Sequence, residues 1–485
     1  MQYRQANRPA GRVQSVALMA ILVIGAAARC THLFSHATMP DEAFTFFIAS
    51  HPLPQIVTLL QTGDFHPPLV YLIGHALFHF TTKAYLFRLV SAAFGVLGIF
   101  GAYAVARYVV PRWALLVALF VAVCPSLVFF DRFFRMYALL WPLCWLSWAA
   151  LLWSLDNPRA RLRWLVYSLT LVLLLYTHYL ALFTIAAQIL FAALFHRKTV
   201  GFWLALAGAV LAFCPWLPVL VRQYPLGGSA YSELRGHMGQ MFLAPAVMLI
   251  DEVPRSIEYS VVTSCVLWLL VGAGLFVALR RRQWIAFALT VPILLQVLYS
   301  VFSGKLLLGQ RYLLQGVPAA LLLITLCIAW LCSTRARVAG LAIAAALFVL
   351  MLFGTVDELF VSSYQPVDWT TYGHFLDSKI QSGDAIVFDG AMAYYTLVGS
   401  RAVATQRVFL VAGPAELPAL IEKADVYPRV WYVDYQSRLP DPNHLVFKGL
   451  ARTHPIQTTW KTTQAGYGDV VLTTLFARAG VKRGP

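Results

Sequence analysis

Long apolar runs recur along this chain from about residue 13 to about residue 356, and nothing constrains its folding more. In hydrocarbon every backbone N–H and C=O must be satisfied internally, so such runs fold as helices that cross a bilayer. Composition agrees. Of 485 residues, 60% are hydrophobic and 12% are charged, roughly half the charge of a soluble domain. The first run, Val13 to Ala28, is long, is followed by further runs and shows no small-x-small cleavage site, so it is expected to stay as a span. All seven cysteines lie in or beside apolar runs and form no CxxC, which reads as core packing and not as a disulfide frame or a zinc site.

The net charge of +16 is unevenly spread. Residues 361–485 carry twelve Lys/Arg against ten Asp/Glu, whereas residues 1–360 carry twenty-five against eleven. An excess confined to the apolar part follows from membrane topology and argues against a nucleic-acid partner. The basic clusters are Arg4/Arg8/Arg12, Arg107/Arg112, Arg159/Arg161/Arg163, Arg197/Lys198, Arg280/Arg281/Arg282 and Arg335/Arg337. With all six on the cytoplasmic side, spans fall near 13–33, 84–106, 113–130, 137–155, 164–177, 179–195, 200–221, 258–279, 284–302, 312–331 and 338–356. That is a multi-pass inner (cytoplasmic) membrane protein of about eleven transmembrane helices, N-terminus inside and C-terminus outside.

The scheme requires that GDFHPPLVYLIGHALFHF, residues 63–80, does not cross. Only about fourteen residues run from Pro67 to Phe80, whereas a span needs roughly 20. A short juxtamembrane or re-entrant helix at the outer face is expected, shaping a cavity there. Of the eleven acidic residues before 361, only Asp156 falls on the inner side, so chemistry is expected on the outer face. Beyond about residue 361 the pattern changes to AIVFDG (385–390) and RVWYVDY (429–435) as strands, with 368–380 and 416–424 as helices. These predict a small extracytoplasmic α/β domain, 361–485, after a transmembrane module, 1–360. No GxGxxG or P-loop marks a nucleotide site.

Four stretches hold the residue types that chemistry needs. MPDEAFTF places Asp41 and Glu42 just beyond the first span, where one carboxylate can act as a base and the other bind a hydroxyl or metal. The same pair also suits the start of a helix. DRFFRMY brings Asp131, Arg132, Arg135 and Tyr137 together, with the arginines spaced i, i+3. Guanidiniums there suit a phosphate, or snorkel to headgroups. YTHYLALF sets His178 between two tyrosines, and GKLLLGQRYLL carries Lys305 and Arg311. Together with His66, these residues are far apart in sequence and share one predicted level. Carboxylate, cations and an apolar cavity at one membrane face suit a reaction on a lipid-linked phosphate.

The ordered series DE, FHPPLVYL, LFRLVSAAFGVLGIFGAYAVAR, RMYAL, YTHYLALF and QRYLLQGVPAALLL resembles the GT-C glycosyltransferases. Within them it is similar to the bacterial protein-mannosyltransferase-like branch that includes aminoarabinose transferases. The resemblance covers roughly residues 13–330. It implies a polyprenyl-phosphate sugar donor, transfer outside the cytoplasmic membrane with inversion, Asp41 as base, and His66-Pro67-Pro68 as one wall of the active site. The acceptor is a glycan, a lipid or a protein. The candidate substrate-binding residues are Glu42, His66, Asp131, Arg135, Tyr137, His178, Lys305 and Arg311. Arg135 and Arg311, with Lys305 or Arg88, are placed to counter the leaving phosphate's charge. Glu42 and His66 can orient the sugar or hold a divalent cation, but the ligand set is incomplete and no metal is assigned. One departure stands out: the glutamate of the family's SQEARMY-like string is replaced here by Phe133.

Two other classes make different predictions. A transporter predicts inverted repeats and ionisable groups at the midplane, whereas here polar residues gather at one face with no repeat. A catalytically silent membrane scaffold is the reading that the missing glutamate favours.

Overall fold

The computed structural model describes residues 11–34, 38–224, 234–250, 256–303, 307–361, 369–398, 400–411, 417–435, 441, 443–463 and 470–478. They group into two compact units. One comprises the chain up to Phe34 with Ala49–Phe360; the other comprises residues 35–48 with the chain from Val361 onward.

The first unit is helical. Among the described residues, eight helical segments are long and apolar enough to cross a membrane: Arg12–Cys30, Ala84–Val109, Tyr137–Asp156, Val200–Gln223, Ile257–Arg280, Trp284–Ser303, Gln310–Cys332 and Arg337–Phe360. The other three expected spans are shorter or broken. Residues 113–130 divide into Ala114–Ala122 and Pro125–Phe130, because Pro125 has no N–H to continue the preceding helix. Arg161–Thr177 has 17 residues and Ala181–Phe195 has 15. The FHPP segment forms Leu69–Phe78, ten residues long, about 15 Å and too short to cross. It is preceded by another ten-residue helix, Leu53–Thr62.

Close helix approach and buried charge hold this unit together. At Gly274 a Cβ would lie 1.9 Å from the carbonyl oxygen of Leu323, so only glycine admits that crossing. Arg29, fully buried near the end of the first span, donates from Nε to Asp131 Oδ2 at 2.7 Å and from Nη1 to the Ala122 carbonyl at 3.0 Å. Trp141 Nε1 donates to the other Asp131 oxygen at 2.8 Å. Gly95 makes room for the pair, since a Cβ there would meet Asp131 Oδ2 at 2.2 Å. A second buried pair joins Arg132 Nη1 to Glu358 Oε1 at 2.6 Å. Arg88 Nη1 donates to the Leu33 carbonyl at 3.1 Å.

In the second unit, strands β1 (Ala385–Asp389), β2 (Arg407–Val411), β3 (Arg429–Asp434), β4 (Ile456–Thr463) and β5 (Val470–Ala477) form a sheet of order β2-β1-β3-β5-β4. β1 runs parallel to β2 and β3, and β5 runs antiparallel to β3 and β4. Ile386, Phe388, Trp431 and Val433 fill one face; Val387, Val430 and Tyr432 fill the other. The expected helices appear as Trp369–Lys379 and Leu417–Asp425. Phe44 and Phe47, from the helix Pro40–Ala49, pack against Tyr395 with ring centroids 4.9 and 5.0 Å apart.

The end of β1 carries a titration within reach of physiological pH. Burial pushes the Asp389 carboxyl up to about 7; a hydrogen bond from Tyr432 opposes this, while Asp441 and Asp434 add to it. The folded state therefore holds a proton that the unfolded chain, at about 3.9, has already lost. Stability accordingly falls as pH rises from about 4 to about 7 and stays low above that. Asp389→Asn keeps an acceptor for Tyr432, and is expected to stabilise the full-length protein at pH 8 by on the order of 1–2 kcal/mol after allowance for solvent screening. It should change little at pH 4. Thermal unfolding in detergent at both pH values checks this, and an equal effect at both would refute the assignment.

Candidate active site

The site grows from the turn between Leu53–Thr62 and Leu69–Phe78. Gly63 ends the first helix and Pro68 caps the second, so residues 64–67 form a short non-helical link. Asp64 and His66, two apart, turn toward each other in that link: His66 Nδ1 lies 2.7 Å from Asp64 Oδ1. The Phe65 N–H donates to the same oxygen at 2.7 Å, and the Tyr71 hydroxyl donates to Oδ2. Asp64, His66 and Tyr71 are 3%, 3% and 0% exposed. Burial alone would raise the Asp64 carboxyl. The His66 ring, the Arg135 charge and the Tyr71 hydrogen bond outweigh it and hold the carboxyl below its ordinary value. Asp64 is thus ionised and accepts only, which puts a proton on His66 Nδ1.

His178 lies in the turn between Arg161–Thr177 and Ala181–Phe195, with its ring centroid 5.0 Å from that of His66. Its Nδ1 accepts from the Leu180 N–H at 3.0 Å, so Nε2 carries the proton of the neutral ring. Burial first, then His66, Arg135 and Arg311, hold His178 well below the usual histidine value and keep it neutral. Tyr137 begins its helix beside both, with centroids 6.4 Å from His66 and 5.5 Å from His178. Tyr312 completes the ring cluster, 5.9 Å from Tyr137 and 6.3 Å from His178. The Arg311 guanidinium lies over Tyr137 at 5.7 Å and over Tyr312 at 5.3 Å.

Amide side chains fix this arrangement from behind. Gln223 Nε2 donates to the carbonyls of Leu60 at 2.5 Å and His66 at 3.4 Å, while its oxygen accepts from Tyr179. Gln296 Nε2 donates to the Tyr312 carbonyl at 3.2 Å, and Gln315 Nε2 donates to Gln296 Oε1 at 3.0 Å. Both supports belong to the helical unit, so the site is tied to rigid elements.

Of the sequence-derived candidates, His66, Arg135, Tyr137, His178 and Arg311 come together here. Asp131 is directed instead to Arg29 and Trp141. Arg132 and Arg135 part company because residues 131–136 do not form the helix that i, i+3 pairing requires. Phe133, at the family's glutamate position, packs its ring 5.0 Å from that of Phe129. Asp41 and Glu42 occupy the first turn of Pro40–Ala49, Glu42 fully buried, in the segment that groups with the C-terminal unit. Lys305 lies outside the described residues. Among the described residues, no three His, Cys, Asp or Glu side chains are grouped to hold a metal ion.

No family model and no curated protein sequence matches the chain. Solved structures do. The oligosaccharyltransferase AglB from Archaeoglobus fulgidus, in complex with an inhibitory peptide and a dolichol-phosphate, aligns with TM-score 0.57 at 12% identity, over 87% of this chain and 70% of that one. ArnT from Cupriavidus metallidurans aligns in its apo state with TM-score 0.53 at 12% identity, over 95% and 97%. The same protein bound to undecaprenyl phosphate gives 0.50 at 14% identity, over 98% and 100%. The chain has the GT-C glycosyltransferase fold. Within that GT-C frame, Asp64, Tyr71, Tyr312 and Gln223 are the site residues that sequence reasoning missed. Asp64 was legible as an Asp-x-His spacing, whereas Gln223 carried no sequence signal.

Proposed function

We propose that this protein transfers a sugar from a polyprenyl-phosphate donor to an acceptor hydroxyl on the outer face of the cytoplasmic membrane, with inversion. The observation that carries the reading is Arg311 over Tyr137 and Tyr312 beside two buried histidines, with Arg135 close enough to lower His178 electrostatically, in a GT-C fold. A phosphate leaving group is already anionic, so it needs cations more than an acid. Arg135 and Arg311 supply them, and the tyrosine faces give the sugar an apolar wall. Lys305 is a further candidate cation, and Glu42 a candidate sugar contact. Asp131 enters only through its place beside this segment in the sequence. Asp41 is the candidate base on the family resemblance, and both termini are oriented by the basic loops. That ArnT and AglB are solved with a polyprenyl or dolichyl phosphate supports a donor of this chemical class.

Full-length protein in detergent, given a panel of polyprenyl-phosphate sugars, is expected to consume one of them; with Asp41 as the base, as the family resemblance assigns it, Asp41→Asn loses that turnover by about 10²–10⁴-fold. Consumption of none, together with no binding of undecaprenyl phosphate, would move the assignment to a transporter or a scaffold.

A further inference from the structure

Among the described residues, two ring nitrogens in this site find no hydrogen-bond partner: Nε2 of His66 and Nε2 of His178, both buried. Buried polar atoms left unsatisfied are uncommon and call for an explanation. Their chemistry is opposite. His66 donates from Nδ1–H to the ionised Asp64, so in the neutral ring its Nε2 presents a lone pair. His178 accepts at Nδ1 from Leu180, so its Nε2 presents an N–H. The acceptor and the donor lie on neighbouring rings whose centroids are 5.0 Å apart. A hydroxyl, of a sugar or of water, both donates and accepts through one atom. Neither a phosphate oxygen nor an ether satisfies both nitrogens.

We infer that His66 and His178 seat the nucleophilic hydroxyl of the acceptor, and that the Asp64–His66 dyad takes its proton. The inference rests on the transferase reading and replaces Asp41 by His66 as the proton acceptor. In the step, the hydroxyl oxygen forms a bond to the anomeric carbon of the donor sugar and its proton passes to His66 Nε2. The bond from that carbon to the phosphate oxygen breaks, and its electron pair leaves on the polyprenyl phosphate, beside Arg135 and Arg311. His178 holds the oxygen through one lone pair and leaves the other for attack. Asp64 is a positioning residue: it sets the His66 tautomer and stabilises the imidazolium that forms, with Tyr71 fixing the carboxylate.

The test uses full-length protein in lipid nanodiscs and the donor that the panel identifies. Binding of undecaprenyl phosphate is followed beside turnover. His66→Gln is expected to bind undecaprenyl phosphate within about threefold of the parent, while kcat falls by about 10²–10⁴-fold. In His66→Gly, added imidazole should recover part of the lost kcat, which a purely structural histidine would not allow. Asp64→Asn should lower kcat without changing KM for the donor, and the ¹⁵N shifts of labelled histidine should show the His66 proton moving from Nδ1 to Nε2. Parent-like kcat in His66→Gln, with loss confined to Asp41→Asn, would overturn the inference. So would a raised donor KM with unchanged kcat, which would make the bound hydroxyl one of the donor sugar's own. If the parent neither binds undecaprenyl phosphate nor consumes a donor, the transferase reading falls and takes this inference with it.

Discussion

Asp131→Ala is expected to destabilise the protein by about 3–5 kcal/mol, the range for breaking one side of a buried ion pair. The reason is the charge left behind. Arg29 is fully buried, and its remaining contacts are carbonyl oxygens of Gly25, Ala122 and Val121, which cannot neutralise a guanidinium. Trp141 would also lose the acceptor for its indole N–H. The compensating variant is Arg29→Met with Asp131→Asn, which removes the charge and retains an oxygen for Trp141. It should recover more than half of the loss, because replacing a buried pair by uncharged groups is often neutral. Thermal unfolding of the parent and the two variants in one detergent measures the loss and its recovery. An Asp131→Ala protein within about 1 kcal/mol of the parent would show that water reaches Arg29.

The second large effect is on turnover. Arg311→Ala should lower donor consumption by about 10²–10³-fold, the cost of removing one preorganised group from a developing anion. Arg311→Lys should recover only part of it. The guanidinium lies over two tyrosine rings, and an ammonium is a point charge without a planar face to present to them. Steady-state turnover with the identified donor, read beside undecaprenyl phosphate binding, separates loss of phosphate contact from loss of fold. Arg311→Ala with parent-like turnover would remove Arg311 from the phosphate site.

The helical site supports a specific division between local and tertiary information. His66, Arg135, Tyr137, His178 and Arg311 were visible as polar residues where an apolar chain needs none, each at a predicted outer end. Their conjunction follows from topology, because short links between spans return the chain repeatedly to one face. Asp131 shows the limit of that reasoning. A carboxylate beside two arginines reads equally as a ligand contact or as half of a buried pair, and its partner Arg29 lies 102 residues away. Arg132 likewise finds Glu358 across 226 residues. The direction of Gln223 is equally invisible, since a lone amide on an apolar helix has no period.

In the C-terminal domain the buried strands β1 and β3 were legible as unbroken apolar runs, as parallel central strands are. β4, IQTTWKTT, was missed because threonines and lysine give it no apolar face, and it is drawn into the sheet by antiparallel pairing with β5.

The chain's own composition thus determined that it enters a membrane many times and that the FHPP segment is too short to cross. These are consequences of hydrocarbon refusing unsatisfied backbone and misplaced charge, and both act on short stretches of sequence. Which partner each of these carboxylates takes was decided only by tertiary structure. Asp64 meets His66 and Asp131 meets Arg29 because packed helices and one proline-bounded turn bring their atoms within 2.7 Å. Hydrogen bonding acts only over such distances, and no pattern along the chain encodes them.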